Sequence, residues 1–184
     1  QSFGDALEAA LAQPTPAERA TALTALASDG GQVAPKALLA AAQSDKPKAL
    51  ADLQALAADA SQPQLYRDLA SLRAVMLAGA DQPLAERRAV LQDLAVPGRA
   101  FRTLANEQLA YLLVEEGKTD AAITAFGDLM QDQDAPSSLR TRAAQMITAL
   151  GGTPPEAKAA AAHLNVVGYD PGVGFVPPLH FFLH

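Results

Sequence analysis

The stretch LAYLLVEEGKTDAAITAF, residues 109–126, decides the fold. Leu109, Ala110, Gly117, Ala122 and Phe126 lie where a helix–turn–helix unit needs them. Small residues let two antiparallel helices approach closely, and Phe126 fills the gap between them. Gly117 ends the first helix, because glycine alone enters the left-handed C-cap without steric strain. The stretch therefore predicts a hairpin of two closely packed helices.

Part of this pattern, and of the sequence that follows it, also occurs 73 residues earlier in the chain. That offset places Ala49 on Ala122, Leu53 on Phe126, Leu56 on Leu129 and Pro63 on Pro136. The spacing resembles the tetratricopeptide repeat, whose units stack into a solenoid. We therefore predict an all-α fold, a tetratricopeptide-like antiparallel helical-repeat solenoid of eight to ten helices. A generic alanine-rich helical bundle is the alternative.

The helix signals divide the chain into parts. We predict one helical-repeat domain, 1–165, with atypical helices in 1–45, three repeat-like hairpins in 46–152 and a capping helix in 153–165. An apolar tail rich in proline and phenylalanine follows, 166–184. The predicted helices are Phe3–Gln13, Pro16–Ser28, Pro35–Gln43, Lys46–Ala60, Gln64–Ala78, Leu84–Ala95, Arg99–Glu116, Thr119–Gln131, Ser137–Leu150 and a short last helix that ends near Leu164.

Composition excludes several classes of function. Alanine, the best helix former, accounts for 42 of the 184 residues, which favours thin, closely packed helices. The net charge of −6 argues against binding of a nucleic-acid backbone, which needs a basic surface. The chain has no cysteine, so disulfides and thiolate metal sites are excluded. It also has no apolar run of the 18 or so residues that span a bilayer.

Four short phrases resemble one family of repeat proteins. They are Phe3–Leu7, Leu65–Ala70, Pro97–Arg102 and Leu104–Ala110. With residues 117–126 and 139–152, they are similar to the YfgM-like tetratricopeptide proteins of Gram-negative bacteria, in their alphaproteobacterial form. The resemblance covers about residues 3–152.

This resemblance implies a location and a class of partner. Members of the family have a short cytoplasmic N-terminus, one transmembrane helix and a periplasmic repeat domain that associates with the SecYEG translocon and periplasmic chaperones. We accordingly expect an interaction scaffold on the periplasmic side of the inner membrane, held there by an N-terminal anchor that this sequence lacks. A cytoplasmic repeat adaptor and, less favoured, a helical ligand-binding or enzymatic domain are the alternatives.

Residues typical of catalysis are sparse. The three histidines, His163, His180 and His184, form no triad with a serine and a carboxylate. Glu115 and Glu116 are neighbours on a helix and point about 100° apart, so we interpret them as a solvated helix end. We predict no catalytic residue, no cofactor and no metal site.

The candidate partner-binding groove is predicted along the first helix of each hairpin, Gln64–Ala78, Arg99–Glu116 and Ser137–Leu150. Arginines there could hold a partner's carboxylates bidentately, and tyrosines could anchor it. The proposed groove residues are Tyr66, Arg67, Arg73, Arg102, Tyr111 and Arg140. Two alternatives stay open: the arginines pair within the chain, with Asp68, Glu86, Glu107 and Asp120, and the aromatic residues belong to the core.

The tail, residues 166–184, is unusually apolar for a chain end. It holds three of the six phenylalanines, together with prolines and Tyr169. Exposed apolar segments of this kind tend to find a partner. We predict that the tail packs on its own solenoid or on a neighbouring copy.

Overall fold

The computed structural model describes residues 3–26 and 33–155. Within them the chain is entirely helical and contains no strand, which confirms the all-α prediction. A short 3₁₀ turn, Gly79–Asp81, follows α5. The nine helices are α1 (Phe3–Leu11), α2 (Pro16–Ala25), α3 (Val33–Gln43), α4 (Lys46–Ala58), α5 (Gln64–Ala78), α6 (Leu84–Leu94), α7 (Arg102–Glu115), α8 (Thr119–Gln131) and α9 (Ser137–Ala149).

Local sequence signals set the helix starts. The Thr15 hydroxyl accepts a hydrogen bond from the Glu18 N–H, and the Glu18 carboxylate accepts one from the Thr15 N–H, a complete capping box. Asp45 caps α4 by accepting from the Lys48 N–H at 3.2 Å. Three other helices, α5, α6 and α9, each begin directly after a proline, since its fixed φ suits a helix start.

Each helix packs against the next one along the chain, as in a helical-repeat protein. Helix α3 also contacts α5, and α7 contacts α9, so these alternate helices approach each other directly. Four buried clusters lie between the helices and contain mostly alanine and leucine. This packing agrees with a helical repeat, while the superhelical solenoid stays a prediction.

The 73-residue offset reappears in the helix bounds. Helix α4 shifted by 73 residues coincides with α8 at both ends, and the start of α5 coincides with the start of α9. Burial follows the same offset: Leu53 and Phe126 are both buried, and so are Ala70 and Ala143. The hairpins α4–α5 and α8–α9 are therefore two versions of one structural unit.

The repeat signature identified in the sequence is a packing signature. Ala110, Ala122 and Phe126 are fully buried in one cluster between α7, α8 and α9. Leu109 packs against the neighbouring cluster, and Pro136 precedes α9.

Gly117 ends α7 as predicted. Its φ is +72°. The Gly117 N–H donates to the Val114 carbonyl, and the Lys118 N–H donates to the Leu113 carbonyl. This pair of hydrogen bonds is a Schellman motif, in which the residue after the C-cap is left-handed.

Some predicted helix bounds were wrong. Helix α7 begins at Arg102 and not at Arg99, because Gly98 adopts a φ of +86° and residues 99–101 form turns. Helices α1, α4, α6, α7 and α9 end one or two residues earlier than predicted, as helix ends commonly do. Helix α2 ends at Ala25, where Leu26 is extended, and not at Ser28, and α3 begins at Val33 and not at Pro35. The helix near Leu164, His163, His180, His184 and the tail 166–184 lie outside the described residues.

Candidate functional site

An open apolar groove lies at the junction of α3, α4 and α5. We name it the α3–α5 groove, with a volume of about 450 Å³. Its floor is buried and made of small or aliphatic residues, Ala41, Ala49 and Leu53. Its wall is formed by Met76 and Leu77, whose exposed fractions are 55% and 36%. Large exposed apolar side chains beside a cavity mark a surface that can bind another molecule.

The sequence explains why the groove is open. Alanine at positions 41, 42 and 49 places no large side chain between the end of α3 and the start of α4. Helix α5 runs on to Ala78, so Met76 and Leu77 stay on helical backbone above this space. The groove therefore follows from small residues on one side and a long helix on the other.

Two cations lie on the rim of the groove, Lys46 and Arg73. The Lys46 ammonium donates to the Asp81 carboxylate and, at 3.4 Å, to the Ala78 carbonyl. The hydrogen bond from Lys46 lowers the pKa of Asp81. Arg73 is exposed and makes no ion pair with any residue of 3–26 or 33–155. Lys46 thus connects α4 to the end of α5, whereas Arg73 makes no such contact with the described residues.

A second, smaller pocket of about 140 Å³ lies between α5 and α6 and is polar. Arg99 crosses it and holds two carboxylates, Asp68 at 2.8 Å and Asp93 at 3.2 Å. Arg67 also lines this pocket, and its Nε is buried without a hydrogen-bond partner among the described residues. Both carboxylates of this pocket are therefore engaged in ion pairs with Arg99. The pocket connects α5, α6 and the turn before α7.

The six predicted groove residues do not converge on one site. Two line different cavities, Arg73 in the α3–α5 groove and Arg67 in the polar pocket. Arg140 is exposed on α9 and has no ion pair within the described chain. Tyr66 packs against the core cluster that contains Leu53.

Arg102 is held within the chain. Its guanidinium binds Asp132 bidentately at 2.7 and 2.9 Å and reaches Asp134 at 2.8 Å. The hydrogen bonds from Arg102 lower the pKa of Asp132, and those to Asp132 and Asp134 raise the pKa of Arg102. Arg102 therefore connects the start of α7 to the end of α8.

Tyr111 belongs to the core side of the α7–α9 contact. Its ring meets Phe126 edge to face, with centroids 5.2 Å apart. Burial raises the pKa of Tyr111, and the nearby Glu107 carboxylate raises it further. Glu107 is buried and accepts two hydrogen bonds of 2.8 Å from Arg142 of α9.

The acidic residues show which intramolecular pairs form. Asp68 and Glu107 do hold arginines, as the alternative interpretation expected, but Glu86 contacts Gln82 instead. For Asp120 no arginine partner is found in the part of the chain that the structure describes.

Glu115 and Glu116 are not simply solvated. They form ion pairs with Arg87 and Arg88, both at 2.6 Å, and these arginines lower the pKa of each carboxylate. The sequence interpretation of a solvated helix end fits the exposed Glu115 but missed both ion pairs, because no local signal shows that α6 lies beside the end of α7.

The sequence analysis missed Lys46, Met76 and Leu77 as groove residues. A signal existed in the run Val75-Met76-Leu77-Ala78. Four consecutive apolar residues surround a helix on all sides, so one packed face cannot bury them all. Val75 and Ala78 are buried, and the two residues between them are exposed.

The described residues contain no group of three or more histidines, cysteines and acids that could hold a metal ion. Among the same residues, no helix is long and apolar enough to span a bilayer. Comparison of the chain with family models, curated proteins and solved structures returned no match. The YfgM-like resemblance therefore stays a prediction that rests on the sequence phrases alone.

Proposed function

We propose that this protein is an interaction scaffold that binds other proteins through the α3–α5 groove. The observation that carries the proposal is the pair Met76 and Leu77, exposed beside a groove of about 450 Å³. Met76 is well suited to the task, because its flexible thioether chain adapts to partners of different shape. Binding, rather than catalysis, is the role that these residues can perform.

The chemistry of the groove indicates the kind of partner. An apolar floor and wall accommodate aliphatic or aromatic side chains of a peptide segment. On the rim, Arg73 can hold a carboxylate bidentately, whereas Lys46 is already paired with Asp81. The preferred ligand is thus a segment that combines apolar side chains with one acidic residue.

A peptide library displayed on phage tests this preference. The wild-type protein should enrich peptides that contain aromatic or aliphatic residues and an Asp or Glu. Met76→Glu should weaken the enriched peptides about tenfold or more, since it buries a charge against an apolar ligand. Arg73→Glu should shift the selection from acidic to basic peptides.

Leu65→Glu is the matched control. Leu65 lies on the same helix and is 50% exposed, but it lines neither pocket. Its charge should leave peptide binding unchanged. Equal losses for Met76→Glu and Leu65→Glu would exclude the α3–α5 groove as the binding site.

For the location we propose the periplasmic side of an inner membrane, with translocon subunits or periplasmic chaperones as partners. The YfgM-like resemblance of residues 3–152 supports this proposal. Crosslinking of the full-length protein in membranes, followed by identification of the partners, tests it. Recovery of cytosolic proteins alone would exclude the periplasm and favour a cytoplasmic adaptor.

A further inference from the structure

The chain itself carries a segment with the chemistry that the α3–α5 groove selects. The sequence of residues 166–184 is VVGYDPGVGFVPPLHFFLH. When the histidines are neutral, Asp170 is its one charged side chain at neutral pH. The rest of the segment is apolar, glycine, proline or histidine, with phenylalanines at 175, 181 and 182. One acid among large apolar residues is the composition expected for a ligand of Met76, Leu77 and Arg73.

The prolines of this segment favour the extended form that binds such grooves. Pro177 and Pro178 are adjacent, and each fixes its own φ near the polyproline II value. An extended segment that is already restricted loses less entropy when it binds. Phe175 lies two residues before the first of these prolines in the sequence.

The segment reaches the groove when the chain before it is extended. The described chain ends at Pro155, just after α9, and Asp170 lies 15 positions further on. Those 15 positions span up to about 50 Å when fully extended, at about 3.3 Å per residue, and about 30 Å when residues 156–165 form the predicted capping helix, at about 1.5 Å per helical residue. Helices α9 and α5 are four packing steps apart in the chain, at most roughly 40 Å at about 10 Å per helix pair.

Charge complementarity points to the same pairing. Arg73 on the groove rim has no ion pair within the described chain, and Asp170 is the acid of the segment. A ligand tethered to its site has an effective concentration in the millimolar range. Even modest contacts therefore suffice to keep such a segment bound.

We propose that residues 166–184 dock in the α3–α5 groove of the same chain, with Asp170 at Arg73 and an aromatic side chain against Met76 and Leu77. External partners must then displace this segment, so the tail is an internal competitor. This inference rests on the proposed function of the groove.

The absence of cysteine from the sequence allows a direct crosslinking test. The full chain carrying Ser44→Cys, at a residue that also lines the groove, and Val176→Cys is oxidised at low concentration and examined on a non-reducing gel. A crosslinked monomer should form about tenfold faster than in the same chain with Met76→Glu added, because docking raises the local thiol concentration. Crosslinked dimers that disappear on dilution would assign the contact to a second copy and overturn the proposal.

Exchanging the charges of Asp170 and Arg73 distinguishes a tail that docks at Arg73 from one that is only near the groove. In the crosslinking chain, Asp170→Arg and Arg73→Glu should each slow disulfide formation several-fold. Combined in one chain, the two substitutions should restore the rate, since the pair is rebuilt with opposite signs. Equal rates in all four chains would show that the segment does not dock at Arg73.

Peptide binding by the same chains distinguishes the two proposals. If external peptides bind the groove while the crosslinking rate is the same in all the variant chains, the docked tail is excluded and the binding function stands. If the crosslink responds as expected but Asp170→Arg fails to improve binding of acidic peptides, the tail is docked and the partner-binding function fails.

Discussion

The hairpins α4–α5 and α8–α9 are the same unit built twice, and the α3–α5 groove lies at the first of them. Their helix bounds coincide under the 73-residue offset except at one end: α5 continues to Ala78, whereas α9 stops at Ala149. The position equivalent to Ala78 is Gly151, which has a φ of +82°. The Gly152 N–H donates to the Ile147 carbonyl and closes a second Schellman motif. A single glycine thus shortens the second helix.

The same offset compares the side chains at these helix ends. Met76 and Leu77 correspond to Ala149 and Leu150, and Leu150 packs against the core cluster of its hairpin. A Cβ added at Gly152 would lie 2.9 Å from the Ile147 side chain and 3.1 Å from the Ile123 side chain. The second hairpin is therefore closed at the end where the first is open. A few residues at one helix end therefore decide whether the end of such a hairpin is open or closed.

The largest expected effect concerns the cores of the two hairpins. Phe126→Ala should lower the free energy of unfolding by roughly 4 kcal/mol, and Leu53→Ala at the equivalent position by roughly 3 kcal/mol. Both side chains are buried, but phenylalanine leaves the larger cavity. Urea unfolding followed by circular dichroism measures both. Equal losses would mean that the two hairpins are packed alike.

Replacing the glycine at a helix end by alanine should lower the free energy of unfolding. Gly151→Ala should cost about 1–2 kcal/mol, because an L-residue is strained at positive φ. No atom lies within 4 Å of the added Cβ, so this loss reports strain and not a clash. Gly117→Ala is the matched control with the same geometry. A neutral Gly151→Ala would contradict the early stop of α9.

Acid should lower the stability of the second hairpin, α8–α9, because it protonates Asp132. The folded-state pKa of Asp132 is lowered, first by its hydrogen bonds from Arg102. Its stabilising contribution is therefore present above the unfolded pKa of about 3.9 and is lost as the pH falls through the lower folded value. We expect Arg102→Gln to be less stable than wild type at neutral pH and to approach wild type as the pH falls below the lowered pKa of Asp132 in the folded state.

Lys48→Gln is the control for this titration, because it breaks an exposed pair with Asp52. Exposed pairs contribute little, so its stability should follow wild type at every pH. Urea midpoints at several pH values provide the measurement. A gap between Arg102→Gln and wild type that persists in acid would assign the effect to packing and not to charge.

The smallest effect on stability is expected for a substitution in the α3–α5 groove. Met76→Ala makes the first hairpin resemble the second at Ala149, and the side chain removed is 55% exposed. We expect a change in unfolding free energy within about 0.5 kcal/mol. Binding of library-selected peptides should nevertheless fall about tenfold, as measured by fluorescence anisotropy. Unchanged binding would show that Met76 is not part of the binding wall.

Sequence patterns predicted the helices well and the candidate site poorly. Helix existence follows from local signals such as the Thr15–Glu18 capping box and Gly117, which act over a few residues. The groove depends on which residues three separate helices leave uncovered. Arg73 was proposed as a groove residue and does line one, but Lys46, Met76 and Leu77 were missed. Arg102 was proposed with the same reasoning and is held by Asp132 and Asp134.

The sequence by itself determined the all-α class, the 73-residue repeat and the glycine stops, because helix propensity, capping and positive φ are properties of short segments. The tertiary structure decided which charges pair and which apolar residues stay exposed. Arg87 and Glu115 are 28 residues apart along the chain and touch at 2.6 Å. Such contacts depend on how neighbouring helices are placed, and no local signal encodes that placement.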